Sequence, residues 1–217
     1  MRAVSILLAA LVLLAGCGGD DDDAAGTAGE TTTATECADV EAPEAREPES
    51  REAPPDELDP STTQMLIFDT SCGSFTVTLD PEQAPKTAAS LVALANAGYF
   101  DDTIFHRVVP GFVIQGGDPT QSGGGGPGYS TVDVPRSGSA YTQGVVAMAK
   151  STVEAPGTAG SQFFVVTGAD AGLPPEYAIV GEVTEGMDAV LRIDALGVGD
   201  GPPSQPVVVN TVTVGES

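Results

Sequence analysis

Phe105-His106-Arg107-Val108-Val109-Pro110-Gly111-Phe112-Val113-Ile114-Gln115-Gly116-Gly117-Asp118 is the stretch that decides the fold. Two short apolar runs flank a Pro-Gly pair, which is the pattern of a β-hairpin. Pro110 and Gly111 suit the two central places of a type II turn, where the second residue needs a positive φ. Such a hairpin sets Arg107 and Gln115 side by side on neighbouring strands. Phe112, Val113, Phe164 and Leu173 are apolar residues at strand ends or beside glycines. If they converge, they make a small oily pocket beside one fixed cation, which matches a proline ring next to a peptide bond. Taken singly, Phe112 and Phe164 could as well be core, and Arg107 a surface ion pair.

Outward from this hairpin, Met65-Leu66-Ile67-Phe68 and Phe75-Thr76-Val77-Thr78-Leu79 read as two strands, joined by a turn over Ser71-Cys72-Gly73-Ser74. Pro85 opens a helix at its favoured first-turn position. Ala88, Leu91, Val92 and Ala95 then recur at i, i+3, i+4 and i+7 as one buried stripe, and Gly98 stops it. Further strands are expected around 104–109, 111–116, 144–149, 162–167, 178–183 and 206–214. A second helix over 187–196 carries Met187, Val190, Leu191 and Ala195 inward. Seven or eight short strands with two helices point to a mostly β domain, an antiparallel barrel or sandwich capped by helices.

This domain occupies residues 63–217 of a 217-residue chain, and two unlike segments precede it. Residues 1–17 read as an export signal, with Arg2 followed by a twelve-residue apolar run from Ala3 to Leu14. That run is too short to span a bilayer and suits a signal peptide. It ends in Leu14-Ala15-Gly16-Cys17, which resembles the lipobox of bacterial lipoproteins. The resemblance implies cleavage before Cys17, lipidation of that residue, and an extracytoplasmic protein held on the membrane by its acyl chains. An ordinary secretory signal with an incidental cysteine is the alternative. Residues 18–62 hold 15 of the 31 acids, five prolines, only Arg46 and Arg51 as bases, and no aromatic residue. Such a segment buries too little apolar surface to offset its ordering entropy, so a disordered, acidic tether is expected.

Two cysteines remain after Cys17. In an oxidising exterior Cys37 and Cys72 pair most simply with each other, which would staple the second half of the tether to the domain. A catalytic thiol at Cys72 is the sharper alternative. With 31 acids against 8 bases the net charge is -23, so nucleic acid is not an expected partner, and neither is an anionic membrane surface except through a lipid anchor. With Cys17 in the lipobox-like stretch, two cysteines and one histidine are too few for a four-ligand Cys/His zinc cluster, and no metal site is expected. The glycine run Gly123–Gly126 lacks the Lys-Ser/Thr of a phosphate loop, and there is no Gly-x-Ser-x-Gly elbow. These gaps argue against hydrolases, kinases and nucleotide enzymes.

The block 105–118 resembles the signature of the cyclophilin-type peptidyl-prolyl isomerases. Ala147-Met148-Ala149, Gly160-Ser161-Gln162-Phe163-Phe164-Val165, Ala84-Pro85-Lys86-Thr87 and Val180-Gly181 fit the same family in the same order. The resemblance spans about 63–214 and implies an eight-stranded antiparallel barrel capped by two helices. It also implies a catalytic set of Arg107, Phe112 and Gln115. Val113, Ala149, Phe164, Leu173 and Tyr177 would bind substrate, Gly123 and Gly124 would line the groove, and Lys150 and Gln162 would hold the flanking peptide. Three positions depart from the better-known members: Lys150 stands where asparagine is usual, Gly172 where tryptophan is frequent, and Tyr177 where histidine is common. The loss of an indole at 172 predicts weak binding of cyclosporin-type macrocycles.

Isomerisation needs no nucleophile, cofactor or proton relay. Lone-pair sharing between nitrogen and carbonyl sets a barrier of about 18–20 kcal/mol. At the twisted transition state the nitrogen regains its lone pair, so a cation donating to it binds that form best. Arg107 is the candidate donor, on condition that it faces a cavity and is not locked to a carboxylate. Gln115 would orient it or bind the substrate carbonyl. His106 alternates with Arg107 along the strand and faces away from it, so a structural role is expected. The expected substrate is an exported, proline-containing polypeptide, acted on by a monomer. A non-catalytic proline-peptide receptor or holdase at the cell envelope is the alternative.

Overall fold

A computed structural model describes residues 36–55 and 57–216. The expected signal segment, Cys17 and tether residues 18–35 lie outside the described residues. In the domain the chain runs β1 (Gln64–Thr70), β2 (Gly73–Leu79), α1 (Pro85–Asn96), β3 (Thr103–Ile104), β4 (Arg107–Val109), β5 (Val113–Gly116), β6 (Thr131–Val132), β7 (Val145–Met148), β8 (Thr158–Ala159), β9 (Phe163–Val166), β10 (Ile179–Glu185), α2 (Met187–Asp194) and β11 (Val208–Glu216). Nine strands form one sheet in the order β3-β11-β1-β2-β10-β7-β9-β5-β4, and β6 pairs with β8 apart from it. All the strand pairings are antiparallel.

The two outermost strands of the large sheet, β3 and β4, are consecutive in the chain and separated only by Phe105 and His106. The sheet therefore curls until its edges meet, as sheet twist favours. The expected barrel of eight strands matches the eight that are three residues or longer; β3, β6 and β8 are two-residue pairings that no periodicity could reveal. The core inside the curl is aromatic. Phe68 stacks on Phe75 at 4.7 Å, and Phe163 lies edge-on to Phe100 and Phe105 at 6.2 and 6.1 Å.

Both helices start where the sequence places them. Pro85 stands in the first turn of α1, and Thr87 presents its N–H and hydroxyl to the Asp133 carboxylate, both at 2.7 Å. That carboxylate satisfies an N-terminal donor that would otherwise be orphaned. Gly98, at φ +63°, follows the helix end. α2 keeps part of the expected stripe, with Val190 buried and Met187 packed on the core, but Ala189 and Ile193 face inward in place of Leu191 and Ala195, which are exposed. The shift reflects the helix lying on β2, where Arg192 reaches across to donate to the Cys72 carbonyl at 2.9 Å.

The expectation of disorder over 18–62 needs correction for its described part. Residues 36–55 and 57–62 form an extended strap along the domain. Cys37 is joined to Cys72 by a disulfide. The Ala38 N–H donates to Ser71 O at 2.7 Å, Gln121 Nε2 to Pro43 O at 2.9 Å, Arg46 N–H to Pro119 O at 2.9 Å and Arg51 N–H to Pro127 O at 2.8 Å. Leu58 N–H reaches Pro85 O at 3.1 Å. The guanidiniums of Arg46 and Arg51 both lie over the ring of Tyr99, at 5.7 and 5.1 Å, and Arg46 also donates to the Tyr99 carbonyl. Composition measures what a segment can bury within itself. Here the apolar partner, Tyr99, belongs to the domain, and the strap's only two cations cover it. Closing a loop of 35 residues contributes about 4 kcal/mol by the chain-entropy account.

Two measurements check this arrangement. Oxidised protein should show no reactive thiol at Cys37 or Cys72. It should also resist trypsin at Arg46 and Arg51, and reduction should open both sites. Equal cleavage rates before and after reduction would mean the disulfide does not hold the strap.

Candidate functional site

Register places the candidate residues. Across β4, β5, β9 and β7 the pairs are Arg107 opposite Gln115, Gln115 opposite Phe164, and Phe164 opposite Ala147. Period-two alternation then puts these four residues on one face of the sheet. The β4–β5 turn has the expected geometry: Phe112 N–H donates to Val109 O at 3.0 Å, with Gly111 at φ +68°. Asp194, the last residue of α2, accepts the Gly111 N–H at 3.0 Å and the Thr167 hydroxyl at 2.6 Å, so the helix end fixes the hairpin tip.

A second apolar cluster, distinct from the main core, gathers on this face. Val113, Tyr141, Ala147, Phe164, Val166 and Ile179 are buried, and Phe112, Ala149, Leu173 and Tyr177 pack half-exposed against them. The structure thus brings together Phe112, Val113, Ala149, Phe164, Leu173 and Tyr177. Tyr177 stands edge-on to Phe164 at 5.7 Å and to Tyr141 at 6.0 Å. Its backbone is clamped by Tyr141, whose hydroxyl donates to Tyr177 O at 2.8 Å and accepts from Tyr177 N–H at 3.0 Å. Gly172, at φ +62°, has open space where a side chain would stand.

A row of hydrogen bonds borders the cluster. Arg107 Nη1 donates to Gln115 Oε1 at 3.1 Å, Gln115 Nε2 to Gln162 Oε1 at 3.1 Å, and Gln162 Nε2 to Gly125 O at 2.9 Å. Gln115 therefore orients Arg107, and Gln162 carries the row to the glycine loop.

Arg107 does not meet the condition of freedom from a carboxylate. Asp200, in the Gly199-Asp200-Gly201 loop after α2, accepts from Nε at 2.6 Å and from Nη2 at 3.2 Å. The hydrogen bond and charge of Arg107 lower the Asp200 carboxyl from its ordinary value. Asp200 is exposed, however, with its side chain 68 % accessible. An ion pair so open to water holds weakly. A guanidinium carries five N–H donors. Asp200 and Gln115 engage three of them, which leaves one on Nη1 and one on Nη2.

Other expected residues are placed differently. Lys150 is turned inward: its side chain is 3 % exposed, its Nζ pairs with Glu176 at 3.1 Å, and it lies 5.3 Å from the Tyr177 ring. It is thus not free to grip a peptide with its ammonium. His106 presents neither ring nitrogen to a hydrogen-bond partner among the described residues. Burial pushes its pKa down and the Arg107 charge adds to this, outweighing the opposing effects of Asp118 and the neighbouring Gln162 side chain, so the ring is poorly suited to hold a proton.

Gly123 and Gly124 sit in a loop that a buried carboxylate organises. Asp118 accepts N–H groups from Thr120, Gly123 and Gly125 at 2.8, 2.7 and 3.0 Å, and the Thr120 hydroxyl at 2.8 Å. Burial alone would raise its pKa, but these hydrogen bonds outweigh it and the carboxyl stays below its ordinary value. A Cβ on Gly125 would meet Asp118 Oδ1 at 2.1 Å, which is why glycine is needed there. Asp118, Asp194, Tyr141 and Asp200 are the functional neighbours that sequence reasoning missed. Only Asp118, at the end of the decisive stretch and just before the glycine run, carried a local signal.

The comparisons agree with this geometry. Residues 65–214 match the family model described as cyclophilin type peptidyl-prolyl cis-trans isomerase/CLD. The chain is 42% identical over 132 residues to peptidyl-prolyl cis-trans isomerase-like 1 of Aspergillus fumigatus, covering 59% of this chain and 80% of that one. It is 37% identical over 165 residues to the probable peptidyl-prolyl cis-trans isomerase A of Mycobacterium leprae, covering 67% and 88%. A crystal structure of a Cryptosporidium parvum cyclophilin type peptidyl-prolyl cis-trans isomerase in the presence of the dipeptide Ala-Pro superposes with a TM-score of 0.65 at 29% identity, over 70% of this chain and 99% of that one. With hairpin register, apolar cluster and family match in agreement, the chain belongs to the cyclophilin-type peptidyl-prolyl cis-trans isomerases.

Proposed function

We propose that this isomerase acts on proline-containing segments of exported or envelope proteins, and that Arg107 provides the transition-state stabilisation. The observation that carries the mechanism is the row Arg107–Gln115–Gln162 alongside the cluster of Phe112, Phe164 and Leu173. The proline ring rests on the half-exposed faces of Phe112, Leu173 and Tyr177. The remaining protons of Nη1 or Nη2 then donate to the imide nitrogen as it loses conjugation. The donation exists only in the twisted form, so it lowers the barrier without tightening the planar ground state. No bond forms or breaks. Asp200 steadies the Nε side of the guanidinium and leaves the outer corner for substrate. The Ala-Pro dipeptide used with the related parasite structure supports a proline-peptide ligand of this kind.

Asp200 is also the observation that favours a second reading, a receptor that binds proline peptides without turning them over because its cation is neutralised. Kinetics separate the two. Arg107→Ala should lower kcat/KM for a proline peptide by about a hundredfold or more. His106→Ala should cost far less, and Asp200→Ala should change it by no more than about fivefold. Equal losses for Arg107→Ala and His106→Ala would remove Arg107 from its role. Binding by the unmodified protein without turnover would select the receptor.

The envelope location rests on the sequence. Leu14-Ala15-Gly16-Cys17 fits a lipidation site, and a Cys37–Cys72 disulfide suits an oxidising compartment. Expressed from its full gene in a bacterium, the protein should fractionate with membranes, and Cys17→Ser should release it. A soluble unmodified protein, or a mature N-terminus other than Cys17, would sink this location. Inhibitor binding tests the shape of the site: with no indole at Gly172, a cyclosporin-type macrocycle should bind at least about tenfold more weakly than to Gly172→Trp. Equal affinities would show that position 172 does not shape the macrocycle surface.

A further inference from the structure

We propose that the disulfide-stapled strap is part of the substrate site: Pro48 and Glu49 wall the groove that takes the peptide flanking the rotating bond, and they favour flanking residues of positive charge. This deepens the isomerase reading and rests on it. A groove of about 900 Å³ is lined by Gln115, Ala149 and Gln162, which belong to or adjoin the row that holds Arg107, and also by Pro48 and Glu49 of the strap. A peptide long enough to leave the apolar cluster past Gln115 enters this groove and meets the strap.

The wall is held in place. The backbone hydrogen bonds of Arg46 to Pro119 and Arg51 to Pro127 bracket Pro48 and Glu49 within a span of six residues. The same two arginines lie over Tyr99. Ser50 packs so closely on Gly128 that a Cβ there would lie 2.5 Å from Ser50 Oγ. Proline at 48 restricts the backbone further. Pro119 and Pro127 flank the glycine loop itself, so the strap both faces the groove and braces its floor.

The charges in the groove are unevenly available. Its cation, Lys150, is buried against Glu176 and the Tyr177 ring. The Glu49 carboxylate faces solvent, its side chain 39 % accessible, while Glu154, also exposed, accepts the Ser151 N–H at 2.6 Å. Arg51 tempers Glu49 at 3.2 Å but is itself engaged over Tyr99. Within the field of a strongly acidic protein, a cationic flanking side chain is the one this wall attracts.

The test uses the oxidised protein and peptides centred on Ala-Pro, with Lys, Ala or Glu at each of three positions on either side, followed by NMR exchange at low salt. At one or more positions the Lys peptide should exceed the Glu peptide in kcat/KM by about threefold, the scale of one exposed charge pair. Glu49→Lys should reverse that preference, and Glu82→Lys, on a different surface, should leave it intact. A ratio near one in the unmodified protein, or a ratio unmoved by Glu49→Lys, overturns the proposal. The same peptides titrated by chemical shift give the ratio as Kd. Absence of turnover would then fail the isomerase reading, while the Kd ratio still decides the role of the strap.

Discussion

Antiparallel register is the constraint on which the rest of this molecule depends. Because side chains alternate with a period of two, a slip of one residue between β4 and β5 would send Arg107 and Gln115 to opposite faces. The pairing of Arg107 with Gln115 and of Gln115 with Phe164 therefore fixes, at once, the cation, the amide bonded to it and the ring at the centre of the second apolar cluster. The register is itself pinned at the hairpin tip. Asp194 at the end of α2 ties down Gly111, and Gly168 lies so close to the Gly111 carbonyl that no side chain would fit there. Helix, turn and sheet thus act on one geometric variable.

Around that register the site is built from polar groups with several partners each. The Asp118 carboxylate holds the backbone of the glycine loop, the Tyr141 hydroxyl the backbone of Tyr177, and the Gln162 amide both Gln115 and Gly125. Such networks give a rigid frame because each member left unpaired would be costly. Arg107 is the exception. Its partner Asp200 is exposed, so the cation proposed to act on the substrate is also the one held by the most easily broken contact.

Much of this was legible in the amino-acid order. The Pro110-Gly111 turn, the opening of α1 at Pro85 and the eight longer strands follow from local chemistry. The apolar residues gathered near Arg107 followed from the family resemblance more than from periodicity. What escaped were effects of neighbours distant in sequence. Gly199-Asp200-Gly201 looks like any exposed turn until folding carries it to Arg107, 93 residues earlier. The inward stripe of α2 depends on the angle at which it lies on β2, which spacing alone does not set. The strap reads as disordered because its composition offers too little apolar surface to bury within itself, whereas the partners it packs on, Tyr99 and the core edge under Cys37 and Leu58, lie on another part of the chain.

The meeting of β3 and β4 has a meaning beyond shape. A catalyst of proline isomerisation works among chains that have not finished folding and carry unsatisfied amides. An open sheet would offer such chains a template for cross-chain ladders. Here the seam lies between two consecutive strands, and Val108 N–H is already taken by Gly201 O at 2.8 Å. Closure of the curl therefore leaves little free strand edge at this seam on which another chain could build a ladder.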